Sequence, residues 1–458
     1  MTNIAAAQRA GYRRLEAEPR GSFVSERPAL FSPATSAQEP ANGTRLYFHW
    51  NPIFVSYEYT NWLEESAAHV QSCYVGDWTP IGKLRIAGTQ AIDFLSAIGT
   101  VNLSKIAINQ AKQHIQVDEN GHIASEGIVY RTGADEFVYT GGGTDWTAWQ
   151  FAQGSWDAQL EDLGAEMFMF EIQGPTSLFA LEALFDTSLR DVGFNRSRTI
   201  ELEGIPLRIL RTGVSGELGY ELHGPADYAA GVWAKVVEAG APFGIKQLGL
   251  RSQLVAHIEA GIATAGIDYL PSALITPGAQ KLIPMGVPSG SFVPTSGIQD
   301  FFRYPAELGW GARVSLNSHD FIGREALTRQ AAAGGPGRRL MALSWDAGDV
   351  TAVHDGLFGT GELARPMQYP RDVGLDLDRV LAAGHDVGVS SSRTYSPTLR
   401  QMISLVVLDD AVAPGAQVSV LWGAPGQNQR EIRATVHPTP LKPDRRRTDV
   451  TALSSASR

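Results

Sequence analysis

Residues 211–225, RTGVSGELGYELHGP, carry two glutamates, Glu217 and Glu221, in a hairpin interrupted by Gly213, Gly216 and Gly219 and closed by a Gly-Pro stop. Glycine lets a backbone turn sharply and approach a ligand without a Cβ in the way. A carboxylate offers two acceptor oxygens side by side. On the residues alone, both glutamates read more readily as solvent-facing turn residues than as ligand contacts. A second chemical group stands downstream, where Arg251, Gln253 and His257 share one short segment. His257 is the side chain there whose ordinary pKa suits proton transfer near neutral pH, and a core histidine on an apolar helix face is the alternative. A third group is aromatic: Tyr47, Phe48, Trp50, Phe54, Tyr57 and Tyr59 crowd into one stretch too irregular for a helical or strand period. It reads as core packing or as the wall of a ligand pocket.

Several other chemistries are set aside. The 10 histidines show no HxH, HExxH or paired-cysteine spacing, so no metal site is expected. Gly141-Gly142-Gly143 lacks the lysine and hydroxyl residue of a phosphate loop and reads as a strand-end turn. No G-x-S-x-G elbow occurs, which leaves serine nucleophile chemistry unsupported. Cys73 is the single cysteine, so neither an intrachain disulfide nor a thiolate metal cluster can form, and a reducing compartment is expected. A net charge of -10 argues against a nucleic-acid face. The run Arg445-Arg446-Arg447 reads as part of a solvated tail. With no signal-type leader in the first thirty residues and no long apolar run, a cytoplasmic protein without membrane contact is expected.

The elements that would position these groups alternate. KLRIAG (83–88) reads as a strand, followed by a helix in TQAIDFLSAIG capped by Thr89, with Ile92, Leu95 and Ile98 on one face. MFMFEIQGP ends a second strand at Gly174-Pro175, and TSLFALEAL follows as a helix from Thr176. ADYAAGVWAKVVEAG turns Val232, Trp233, Val236 and Val237 to one side and stops at Gly240. Helices between mainly antiparallel hairpins predict an α+β fold. Beyond about Gly334 the segments are short and β-rich, which predicts a separate all-β C-terminal domain. At 458 residues the chain is too long for a single core. The expected divisions are a leader or surface extension (1–42), a first α+β domain (43–165) with the later segment 250–333 as a candidate to complete it, a second α+β domain (166–249), the β domain (334–445) and a flexible tail (446–458).

Taken together, EIQGP, the RTGVSGELGYELHGP hairpin, Gly249-Leu250-Arg251 followed by HIEAG, ELGWGARVSLNSHDFIGREAL and RATVHPTPL occur in an order and spacing that resemble the glycine-cleavage T-protein family. Within it, AKQHIQVDENGHIASEGIVY and SGSFVPTSGIQDFFRYPAELGWG are most similar to the branch of tetrahydrofolate-dependent aromatic O-demethylases, of the dicamba, vanillate and syringate type. Ser125-Glu126 stands where aminomethyltransferases carry an acidic pair, which leaves the amine-handling aspartate unmatched.

The resemblance implies a fold of three domains around a central channel and tetrahydrofolate as cofactor. Glu221 occupies the glutamate position that holds the pterin, Arg251 the arginine beside the reacting end of folate, and Trp310 an aromatic near it; Tyr220 and Gln173 are the further expected cofactor neighbours. Gln253 and His257 are the expected catalytic side chains, with His257 as proton donor to the leaving phenolate. Trp50, Phe54 and Tyr57 are the expected substrate wall, and Glu217 stays a surface residue. The implied reaction is demethylation of a small-molecule methoxylated aromatic acid by a monomer. Pro80 and Gln253 replace a histidine and a tyrosine of the vanillate type, which favours a dicamba-like 2-methoxybenzoate over vanillate or syringate. A non-catalytic folate-binding module is the reading from another class, and the K-G-C-Y-x-G-Q-E stretch of such iron-sulfur assembly relatives is missing here.

Overall fold

The computed structural model describes residues 6, 9–11, 13, 30–50, 52–279, 288–369 and 373–454. Two mixed layers and a barrel carry the fold. The first layer is an antiparallel sheet in the order Ala111–Val117, Ile123–Arg131, Glu136–Gly141, Gly82–Ala87, Gln159–Asp162. The helices Ala91–Ile98 and Thr144–Gln153 cover it, burying Phe94, Leu95 and Ile98 against Leu84, Ile86, Val129 and Phe137. Thr89 does not cap the first of these helices. Gln90 stands at the cap, while the Thr89 hydroxyl bonds Asp157 at 2.5 Å.

The second layer runs in the order Ser197–Leu202, Ile205–Leu210, Gly219–Pro225, Met167–Gln173, Cys73–Asp77, Ile245–Leu248. Strict alternation along Met167–Gln173 gives it two unlike faces. Phe168, Phe170 and Ile172, with Tyr220 and Leu222 of the hairpin strand, pack on the helices Ser177–Phe185 and Ala229–Gly240 through Leu178, Leu181, Val232, Trp233 and Val236. Met169, Glu171 and Gln173, with Gly219, Glu221 and His223, point the other way. This sheet crosses the expected division at 165/166, because Cys73–Asp77, from the span assigned to the first domain, is its fifth strand.

Six strands, Arg338–Trp345, Asp378–Ala382, His385–Ser396, Gln401–Asp409, Gln417–Trp422 and Arg430–His437, close the expected β-rich C-terminal domain into a barrel. It is not wholly β: the helix Ala347–Asp355, capped by Asp346, packs Val350 and Val353 into its core. From segment 250–333, Tyr269, Leu308, Trp310 and Leu327 share a core with Ile115, Val117 and Ile123 of the first layer and with Leu340, Ile403 and Leu405 of the barrel.

Both ends are more built-in than composition suggests. From residue 30 the presumed leader is part of the fold: Leu30–Phe31 pairs in parallel with Ile53–Glu58, Ala34 lies in the core of the second layer, and Ser32 and Gln38 bond Asp77. Most of residues 1–29 lie outside the described residues. The expected flexible tail is tied down as far as residue 454. Arg190 reaches Leu453 O at 2.7 Å, Arg211 bonds Thr448 O, Val450 is 2% exposed, and the Arg447 guanidinium sits 4.4 Å over the Phe194 ring. The arginine run is therefore a strap across the second layer; residues 455–458 lie outside the described part.

Candidate active site

The polar face of the second layer is built from its middle strands. In the antiparallel register Glu171 stands directly opposite Glu221, and Gln173 opposite Gly219. On the other side Gln173 faces Tyr74 and Glu171 faces Gly76. Two carboxyls thus share one row of the sheet, with cross-strand Cβ atoms about 5 Å apart in such a pair. Glu171 is 0% exposed and Glu221 6%. Burial first, and then the charge of Glu221, push the Glu171 carboxyl well above the usual carboxylate range.

Their polar partners close a short network. His223 Nε2 lies 2.9 Å from Glu221 Oε2, and His223 Nδ1 lies 3.1 Å from the Tyr130 hydroxyl. In the neutral tautomer that satisfies both, the ring donates to Glu221 and accepts from Tyr130. The Tyr74 hydroxyl stands 3.4 Å from both Glu171 Oε2 and Gln253 Oε1, linking the carboxyl row to the helix Leu250–Glu259. Among the described residues, Glu171 Oε1 is buried without a hydrogen-bond partner.

Gln173 supports the hairpin from beneath. Its Oε1 accepts from the Ser215 amide at 3.0 Å and the Ser215 hydroxyl at 2.5 Å. A Cβ on Gly213 or on Gly219 would lie 2.5 Å from the Gln173 side chain. These two glycines therefore make room for a glutamine rather than for a ligand. Gly216 alone needs its conformational freedom, at φ +76°. Glu217 is not a surface residue: it is 2% exposed and pairs with Lys442 at 3.5 Å and Arg445 at 4.0 Å.

Residues 22–278, more than half of the 458, match the GCVT N-terminal domain family. The chain belongs to this family. It is 31% identical over 420 residues to the sesamin methylene transferase of Sinomonas sp., covering 84% of this chain and 89% of that one. To the syringate O-demethylase of Sphingobium sp. it is 28% identical over 418 residues, with the same 84% and 89% covered. An aminomethyltransferase of Shouchella clausii matches at 28% over 371 residues, 80% of this chain and 85% of that one. The glycine cleavage system aminomethyltransferase T of Bartonella henselae superposes with a TM-score of 0.70 over 91% of this chain and 99% of that chain at 16% identity, which shows the fold. As a member of this family the chain is an enzyme.

Not every expected site residue joins the carboxyl row. Tyr220 is on the opposite face, 0% exposed in the apolar core, because it alternates with Glu221 along the strand. Trp310 is a core residue edge-on to Tyr269, with ring centroids 6.4 Å apart. Arg251 lies 4.6 Å over the Tyr57 ring and donates to Glu58 at 2.9 Å, so its guanidinium is held by the strand Ile53–Glu58. His257 turns to the barrel: its Nε2 is 3.3 Å from the Ser392 hydroxyl and 3.7 Å from Asp268. Asp268 is buried, which alone would raise its pKa, yet His257, Ser391 and Ser392 together hold it below its ordinary value.

The aromatic wall is split as well. Trp50 pairs with Ile53 and His49 with Phe54, so Trp50 and Tyr57 share one side of that small sheet while Phe54 stacks on His49 at 4.5 Å on the other. Trp50 meets Trp78 edge-on at 5.9 Å, and Tyr57 stacks on Phe48 at 5.7 Å.

Sequence reasoning passed over Glu171, Tyr74, His223 and Tyr130. A signal for Glu171 was present, since in MFMFEIQGP it shares a strand face with Gln173. The others become visible only through strand pairing.

The residues present fit a pterin. Its edge carries an exocyclic amino group and a ring N-H, both donors, and the carboxyl row supplies acceptors in a dry setting: Glu171 Oε1, which lacks a protein partner, and Glu221 Oε1, which the bond to His223 does not use. Among the described residues no helix is long and apolar enough to cross a membrane.

Proposed function

We propose that this enzyme moves a one-carbon unit from an aromatic ether oxygen to N5 of tetrahydrofolate, releasing a phenol. The observation that carries the reading is the buried carboxyl at Glu221 on the polar face of the sheet, in a chain 31% identical to one relative named for methylene transfer and 28% identical to one named for O-demethylation. Tetrahydrofolate, when bound, supplies N5 as nucleophile, so that an O–C bond is exchanged for an N5–C bond and a proton passes from N5 to the departing phenolate oxygen.

The protein needs no nucleophile of its own; its residues bind, orient and exclude water. Holding reactants in line is worth roughly 7–11 kcal/mol by effective-molarity arguments. Glu221, fixed through His223 and Tyr130, fixes the pterin's orientation. Gln253, bonded to Tyr74 and one helical turn from His257, is assigned to the leaving oxygen. His257, engaged by Ser392 and Asp268, acts as a positioning residue that fastens the helix to the barrel. Arg251, between Tyr57 and Glu58, is assigned to the anionic end of folate or substrate.

For the substrate, a 2-methoxybenzoate of the dicamba kind remains the favoured choice. A buried Pro80, which offers no hydrogen-bonding side chain, and the shared side of Trp50 and Tyr57 support a pocket with few partners for a ring hydroxyl. A second reading, supported by the likeness to the sesamin methylene transferase, is a methylenedioxy aromatic whose bridging carbon is transferred. Incubation with tetrahydrofolate and dicamba, syringate, vanillate or a methylenedioxybenzene tests both. The expected result is a methylated or methylene-bearing folate formed one-for-one with a phenol. Turnover of aminomethyl-lipoyl donors alone contradicts the aromatic assignment.

A further inference from the structure

We infer that Glu171 is a second pterin-binding carboxyl, so that the pterin edge is received by two side chains rather than by one bidentate carboxylate. The inference rests on the tetrahydrofolate reading above. It starts from the geometry: Glu171 and Glu221 face each other across neighbouring strands, and neither lies on an exposed edge of the sheet. Glu171 is 0% exposed, and among the described residues no cation forms an ion pair with it. The groups that face it are Glu221 and, beyond that, His223 from one strand, the Tyr74 hydroxyl from the other, and the neutral Gln253 amide from the helix. Two ionised carboxylates in such a place would repel each other in a medium that screens poorly, whereas a neutral Glu171 removes the repulsion.

The division of acceptors follows. Glu221 gives Oε2 to His223, which leaves one oxygen well placed for a single pterin donor. The second donor needs another acceptor, and Glu171 Oε1 is a buried oxygen without a protein partner. In its neutral form Glu171 presents this carbonyl-type oxygen to the ligand at no cost in net charge. The strand that carries it, Met167–Gln173, is braced by Gln173 against the hairpin, so the two carboxyls are held in fixed register.

Calorimetric titration with tetrahydrofolate and infrared spectroscopy of the ligand-free enzyme test the inference together. Glu171→Gln preserves one carbonyl acceptor and a donor toward Glu221, and its affinity should stay within about threefold of the parent. Glu171→Ala should weaken binding by about tenfold or more. The parent should show the carbonyl stretch of a protonated carboxylic acid at neutral pH, lost in Glu171→Gln. An unchanged affinity in folded Glu171→Ala overturns the pterin contact, and absence of the protonated-acid band in the parent overturns the neutral Glu171 acceptor even where Glu171→Ala fails to fold. Failure of the parent itself to bind tetrahydrofolate overturns the underlying reading and the inference with it, an outcome distinct from binding that is insensitive to Glu171.

Discussion

At the scale of single residues, Glu221 and Glu171 are two carboxyls of the same type set in different surroundings. Glu221 is fixed by His223 at 2.9 Å, while Glu171 has, among the described residues, only the long Tyr74 contact at 3.4 Å. Glu221→Gln replaces an acceptor with a donor facing the pterin amino group, and tetrahydrofolate affinity measured by calorimetry should fall by about 2 kcal/mol. Glu171 makes a pH prediction of its own. Its folded-state pKa lies above the unfolded value of about 4.3, so the parent loses stability as pH rises from there toward the folded value. Glu171→Gln has no proton to lose. Its melting temperature relative to the parent should therefore be unchanged near pH 4 and rise with pH above it; a difference independent of pH would show that Glu171 titrates normally. The motif singled out Glu221 in the sequence, but not the buried row it shares with Glu171. Glu171 was hidden because a lone acid in a strand reads as solvent-facing until the register places a second acid opposite it.

At the scale of elements, local pattern served well wherever one face is apolar. The helix ending at Gly240 and the strand ending at Gln173 lie where their periodicity puts them. The pattern misled where tertiary packing decides: Thr89 looks like a cap but bonds Asp157, and Gln253 and His257, one turn apart on a helix, serve a sheet and a barrel respectively. The hairpin glycines give a direct check. Gly219→Ala puts a Cβ 2.5 Å from Gln173 Cγ, so it should destabilise the protein by about 1–3 kcal/mol in chemical denaturation. Shortening the side chain with Gln173→Ala should return part of that loss, so the two changes are non-additive. Additive effects would mean that the glycine serves the backbone or a ligand and not the glutamine.

At the scale of the whole molecule, fold class and the β-rich C-terminal domain were legible because composition changes near residue 334, whereas closure of that domain into a barrel and the sharing of strands between distant segments were not. Strand Cys73–Asp77 inserts beside Met167–Gln173, and no local feature of CYVGD announces a partner so far along the chain. The strap at the C-terminus was likewise read as solvated because its charges dominate its composition, although Val450 is buried and Arg190 and Arg211 bind its carbonyls. Removing residues 444–458 should lower stability by about 2 kcal/mol or more, chiefly through lost burial of Val450 and exposure of the surface beneath it. Scanning calorimetry that shows no change would return the strap to the status of a loose tail.

The central claim, transfer of an aromatic ether carbon to folate, is tested most directly by following the carbon itself. The enzyme is incubated with tetrahydrofolate and aromatic acids carrying a carbon-13 label in the methoxy group, or methylenedioxy compounds labelled in the bridge, and the label is located by NMR. The expected result is its appearance on N5 of tetrahydrofolate in step with release of the phenol, and its loss in Glu221→Gln at subsaturating folate. Label remaining on the ether while aminomethyl donors are consumed would contradict the claim.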